Sequence, residues 1–296
     1  MGRESTDVLH STQSFFIVIV AINGLTCLVL NKKPWKLWEA NLLVSPFILS
    51  IGFAQHAASR APGTSAPAEF SMDQFLLNSA IFVAYAACAT GILMSKYELN
   101  LNDVFGIKTG PLIELLPIAF IIGFAIVPVM LLLQTGCIHL FKQMNISIVT
   151  QESMRTLESL DTPKEIAVFS IMPVIQAPLV EEILFRGILF PAMLSPAPRW
   201  LAKVVAMVSA EILQTPIILS TAPRWLAYLI PTLLFAVVHL NLLNFVPLFV
   251  LGLFFTWQYE KTGNLLCPIL THAGFNLCNI LMATGVIPLQ KLFPPS

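Results

Sequence analysis

Nine apolar stretches dominate this chain: Phe15 to Leu30, Leu42 to Ala54, Phe75 to Met94, Leu112 to Leu133, Ile166 to Phe190, Leu201 to Leu219, Trp225 to Leu240, Leu243 to Trp257 and Leu265 to Ile287. A helix needs about 20 mainly apolar residues to cross the hydrocarbon of a bilayer. Only helices and closed barrels satisfy their own backbone groups there. Runs of this length predict an all-α fold, a polytopic transmembrane bundle of about eight or nine helices. Leu42 to Ala54 is short and fits an interfacial position as well as a span. The composition agrees, with 11% charged residues against roughly 25% in an ordinary soluble domain, and a mean hydropathy of +0.80.

Acidic and basic side chains number sixteen each and cancel, so no net field attracts nucleic acid. The five cysteines, Cys27, Cys88, Cys137, Cys267 and Cys278, contain no CxxC pair and read as small apolar residues. Met1 to Gln13 is polar, and no small-residue cleavage signature follows Phe15 to Leu30, so a retained first span is expected. All five tryptophans sit at run ends, where an indole favours the headgroup level, but the basic residues divide too evenly to orient the bundle. The hydrophilic segment Lys142 to Glu165 divides the chain into an N-terminal membrane extension, 1–145, and a core, 146–296.

Where charge is scarce, ionisable groups inside apolar runs are the informative ones, because a charge at mid-bilayer costs at least about 2.5–3.5 kcal/mol. Glu181, Glu182 and Arg186 lie within one run, His239 ends another, and His272 with Asn276 lies in the last. Residues four apart share a helix face, so Glu182 is the natural partner of Arg186. Glu181, turned about 100° away, is left to find water, a histidine or a metal, and is a candidate general base. His272 and Asn276 are one turn apart and offer an imidazole and a carboxamide, both able to donate to an oxyanion. Phe235 lies one turn before His239 and reads as packing, while Glu211 and His139 read as incidental or interfacial groups. A structural ion pair for Glu182 and Arg186, and helix-binding roles for His272 and Asn276, are the competing readings.

Three segments together carry a pattern: Glu181-Glu182-Ile183-Leu184-Phe185-Arg186 matches EExxxR, Phe235 to His239 matches FxxxH, and His272 to Asn276 matches HxxxN. In this order, and all in apolar helices, they resemble the CPBP family of intramembrane proteases. That family holds the CAAX prenyl endopeptidases and bacterial members linked to bacteriocin processing or immunity. The resemblance covers about Ile166 to Ile287. It implies that Glu181 and His239 activate the attacking water, that His272 and Asn276 stabilise the oxyanion, and that Glu182 and Arg186 support Glu181. It implies a membrane-embedded or lipid-modified, for instance prenylated, peptide substrate, and a multi-pass protein of a bacterial inner membrane or an equivalent membrane.

Family members are commonly called metalloproteases, and a divalent metal such as zinc would find candidate ligands in Glu181, His239 and His272; metal dependence stays open here. HExxH, GxSxG and GxGD are absent. Two other classes stay open as well. One is a non-catalytic membrane protein, an immunity factor or scaffold; the other is a proton-coupled transporter, against which no pair of broken helices recurs in two halves.

Overall fold

The computed structural model describes residues 37–59, 72–106, 114–146, 152–194 and 224–287. In these segments the chain forms nine helices and no strand: α1 (Leu37–Ser59), α2 (Met72–Tyr97), α3 (Leu101–Phe105), α4 (Leu115–Gln143), α5 (Glu152–Glu158), α6 (Pro163–Met193), α7 (Arg224–Val238), α8 (Leu242–Thr262) and α9 (Leu266–Ala283). Five are long and apolar enough to cross a membrane: α2 (from Asp73), α4, α6, α8 and α9. The protein is an integral, multi-pass helical membrane protein, as its apolar runs predict. The runs Phe15 to Leu30 and Leu201 to Leu219, Cys27 and Glu211 lie outside the described residues. Leu42 to Ala54 lies within α1, and α4 continues ten residues past the expected end at Leu133, to Gln143.

The outer face of a helix in a soluble protein is polar, whereas here Leu77 and Ile81 on α2 and Ile118, Ile121 and Leu132 on α4 are more than half exposed. These side chains face the hydrocarbon, which is the solvent for this surface. The inward faces of α1, α2, α6, α7 and α8 share one apolar core, from Ala40 and Val44 through Leu93, Leu184 and Phe185 to Leu234, Leu251 and Phe255. Helices on both sides of residue 145 therefore contribute to the same interior.

Helix α9, which carries His272 and Asn276, lies against α4 with almost no side chain between the two backbones. A Cβ on Gly274 would come within 2.3 Å of the Phe120 carbonyl oxygen, and one on Gly123 within 2.2 Å of the Thr271 carbonyl oxygen. Membrane helices gain little from burying apolar surface against one another, and small residues that allow close backbone approach supply the packing instead. The Thr271 hydroxyl donates to the Ala119 carbonyl at 2.9 Å and accepts from Gln258 Nε2 at 2.9 Å, tying α9 to both α4 and α8.

Helix α6 is continuous from Pro163 to Met193 but is wound as a π-helix over Met172–Gln176 and again over Ile183–Leu189. Prolines at 173, 178 and 191 interrupt its hydrogen-bond ladder, and π-turns are one way a helix absorbs such gaps. Its start is fixed by a capping box: the Thr162 side chain accepts from the Glu165 N–H, and the Glu165 carboxylate accepts from the Thr162 N–H. Helices α7 and α8 are joined by a tight turn, His239 to Asn241, with Leu240 in the left-handed region at φ 47° and Asn241 capping α8.

Gly274→Ala is expected to lower the thermal unfolding midpoint in detergent by several degrees, because the new methyl meets backbone that cannot step aside. Gly91→Ala, where a Cβ would have nothing within 4 Å, should leave the midpoint unchanged.

Candidate active site

Helices α6, α7 and α8 converge on one buried cation. Arg186 is fully buried, and its Nη1 donates to Glu182 Oε1 at 2.9 Å, its Nη2 to the Gly252 carbonyl at 3.0 Å and its Nε to the Thr256 hydroxyl at 3.4 Å. The guanidinium carbon also lies 4.4 Å from the centroid of the Phe235 ring, within the range of a cation–π contact. Gly252 admits this arrangement, since a Cβ there would stand 3.0 Å from Arg186 Nη2. The i, i+4 pairing expected from the sequence is present, although Arg186 lies in the second π segment.

Glu182 has a second partner that its position in the sequence does not reveal. His272 Nδ1 lies 3.1 Å from the same Oε1, and a carboxylate oxygen in that position accepts from an Nδ1–H. His272 is held further by the Phe255 ring, stacked at 4.9 Å, and by the edge of Phe235 at 5.9 Å.

The neighbouring carboxylate faces elsewhere. Glu181 Oε2 lies 4.0 Å from His239 Nε2 and has no hydrogen-bond partner among the described residues. His239 Nδ1 sits 2.7 Å from the Phe235 carbonyl. A carbonyl can only accept, so Nδ1 carries the hydrogen and a neutral ring turns a bare Nε2 toward Glu181. The gap is too long for a direct hydrogen bond and suits one bridging water. The side chains of Glu181 and His239 are 15% and 17% exposed, whereas those of Glu182 and Arg186 are sealed at 0%. The Glu181/His239 pair thus lies nearer the surface than the ion pair, although Oε2 of Glu181 is itself buried.

Asn276 makes its hydrogen bond with neither pair: its Nδ2 donates to the Pro173 carbonyl at 2.6 Å, on α6 two turns before Glu181. His139 is exposed on the last turns of α4, beside Gln143. Among the described residues no group of three or more His, Cys, Asp and Glu side chains is placed to hold a metal ion. Of the three candidate ligands, Glu181 and His239 face each other while His272 turns its Nδ1 to Glu182. His272 Nε2 makes no hydrogen bond to Glu182, and an Nδ1–H held by a carboxylate is also how a metal-ligating histidine is oriented.

Phe235 does more than pack, because its carbonyl fixes His239 while its ring touches Arg186 and His272. Gly252, Phe255 and Thr256 complete the site and carry no signal that sequence reading could have used. On the flank of α6 a cavity of about 420 Å³, almost entirely apolar, is lined by Val83, Thr90 and Phe105 together with Leu179, Val180 and Ile183, which bracket Glu181 in sequence.

Residues 163–278 match the family model described as type II CAAX prenyl endopeptidase Rce1-like. The match begins at the first residue of α6, ends within α9 and contains Glu181, Glu182, Arg186, His239, His272 and Asn276. The family resemblance carried by the three motifs is thereby borne out over this segment. No curated protein and no solved structure matches the chain.

The two adjacent glutamates should respond oppositely to removal. Glu182→Ala strands a sealed guanidinium and is expected to cost on the order of 3–5 kcal/mol, read as a fall in the thermal unfolding midpoint. Glu181→Ala removes a carboxylate oxygen that has no partner, and the midpoint should hold or rise.

Proposed function

We propose that this protein is a CAAX-type intramembrane endopeptidase that hydrolyses a peptide bond of a prenylated substrate with water activated by Glu181 and His239. The observation that carries this reading is that a carboxylate oxygen without a hydrogen-bond partner faces a histidine ring nitrogen at 4.0 Å, longer than a direct hydrogen bond. The Rce1-like match supplies the reaction class.

In this mechanism Glu181 takes a proton from the bridging water as its oxygen adds to the scissile carbonyl. His239 accepts the water's second hydrogen bond and holds the oxygen in line for attack. The carbonyl oxygen gains negative charge, which His272 and Asn276 stabilise by hydrogen bonding. His272 would donate from Nε2 when that nitrogen carries a hydrogen, its ring oriented by the Nδ1 contact to Glu182. Collapse of the tetrahedral intermediate breaks the C–N bond, and the proton held by Glu181 passes to the leaving amine. Glu182 and Arg186 touch no reacting atom; they fix α6 so that Glu181 points at His239.

The apolar cavity between α2 and α6 suits the hydrocarbon of a prenyl group, since its walls offer almost nothing polar to a ligand.

Purified protein reconstituted in lipid should cleave a farnesylated CAAX-type peptide, with products identified by mass spectrometry. Glu181→Ala is expected to lower the rate by at least about 100-fold, the lower end for loss of a general base. Equal cleavage by Glu181→Ala would remove this assignment.

A further inference from the structure

The bond between Asn276 and Pro173 fills a vacancy that two prolines and a π-turn create. Through the π segment Met172–Gln176 the N–H of Ala177 bonds back to the Met172 carbonyl. In an undisturbed α-helix that N–H would serve Pro173 instead. In a continued π-turn the Pro173 carbonyl would take the N–H of residue 178, but residue 178 is proline and has none. The Pro173 carbonyl is thus left without a donor from its own helix, at membrane depth, where an unpaired carbonyl is costly. Asn276 Nδ2, from α9, supplies the donor at 2.6 Å.

We propose that Pro178 is a positioning residue: by withholding an N–H it keeps the Pro173 carbonyl free as the acceptor that orients the Asn276 carboxamide. Because the carbonyl can only accept, the amide must present nitrogen to Pro173, and this sets which way the group is turned. One N–H is then engaged, and the second N–H and Oδ1 have fixed directions. The same bond ties α9 to α6 two turns before Glu181, so the helix bearing His272 and the helix bearing Glu181 keep one register. This role deepens the proposed hydrolytic reading and rests on it for the effect on turnover, but the hydrogen bond itself does not depend on any activity.

Two readouts separate these levels. The first is a thermal-stability cycle on the full-length protein in detergent with Asn276→Ala, Pro178→Ala and the double variant. Asn276→Ala should lower the unfolding midpoint clearly in the Pro178 protein and by less than half as much in the Pro178→Ala background, where a backbone N–H can take over the Pro173 carbonyl. In the Pro191→Ala background, a proline of the same helix outside this vacancy, the full cost of Asn276→Ala should remain. Equal cost of Asn276→Ala in the Pro178 and Pro178→Ala proteins would overturn the inference. If Pro178→Ala does not fold, Asn276→Leu decides: it keeps the size and shape but has no donor for the Pro173 carbonyl, so it should destabilise about as much as Asn276→Ala, and retained stability would overturn the inference.

The second readout is cleavage of the farnesylated peptide. Pro178→Ala should lower kcat severalfold with KM within twofold of the parent, because the carboxamide is released while substrate binding is untouched. An unchanged kcat alongside a positive stability cycle would overturn the positioning role. Absence of cleavage in the parent protein would count against the hydrolytic reading alone, and the stability cycle would still decide the hydrogen-bond vacancy.

Discussion

The buried ion pair between Glu182 and Arg186 is the constraint around which the membrane core is arranged. Neither side chain is exposed, and a guanidinium in an apolar interior is tolerated only when its charge and its N–H groups are matched. The matching groups come from different helices: the carboxylate from α6, the Phe235 ring from α7, and the Gly252 carbonyl and Thr256 hydroxyl from α8. His272 of α9 joins through the same carboxylate oxygen. Moving any one of these helices would strand a charge or a polar group, so the pair sets their mutual positions.

That arrangement gives two adjacent glutamates opposite environments. A rotation of about 100° per residue turns Glu182 into a sealed, doubly bonded position and leaves Glu181 at the edge of the cleft, facing His239. Each carboxylate keeps an Oε2 without a hydrogen-bond partner among the described residues, but Glu182 is held by a guanidinium and an imidazole on Oε1, whereas Glu181 has no ion-pair partner closer than His239 at 4.0 Å. The tautomer of His239 follows from backbone geometry alone, since the Phe235 carbonyl one turn earlier claims Nδ1. In the FxxxH pattern the spacing therefore matters as much as the phenylalanine.

Much of this is legible in the sequence, because charge in an apolar run is conspicuous and helical spacing sorts faces. The membrane-spanning helices, the Glu182–Arg186 pair and the separate face of Glu181 all follow from those two rules. What escapes them depends on contacts between distant segments. His272 shares the carboxylate of Glu182, a partner 90 residues away, and nothing in HxxxN points to it. Gly252 and Thr256 matter through a backbone carbonyl, a hydroxyl and the lack of a side chain, which leave no mark in composition. The engagement of Asn276 by Pro173 requires knowing that α6 is π-wound at that point, and periodicity read at 3.6 residues per turn misses such a register change. Helix α4 runs past its expected end at Leu133, and Gln134, just beyond that end, finds a side-chain partner in Asn244 at 2.8 Å.

In the proposed mechanism Glu181 and His239 act as one unit on one water, and the most direct test of that unity is a turnover measurement. Reconstituted protein is assayed on a farnesylated CAAX-type peptide as Glu181→Gln, His239→Ala and the double variant. Groups that serve a single step together lose their effect together. The double variant should therefore be no slower than the more damaged single variant; losses that multiply would mean that the two residues act independently and would contradict the account.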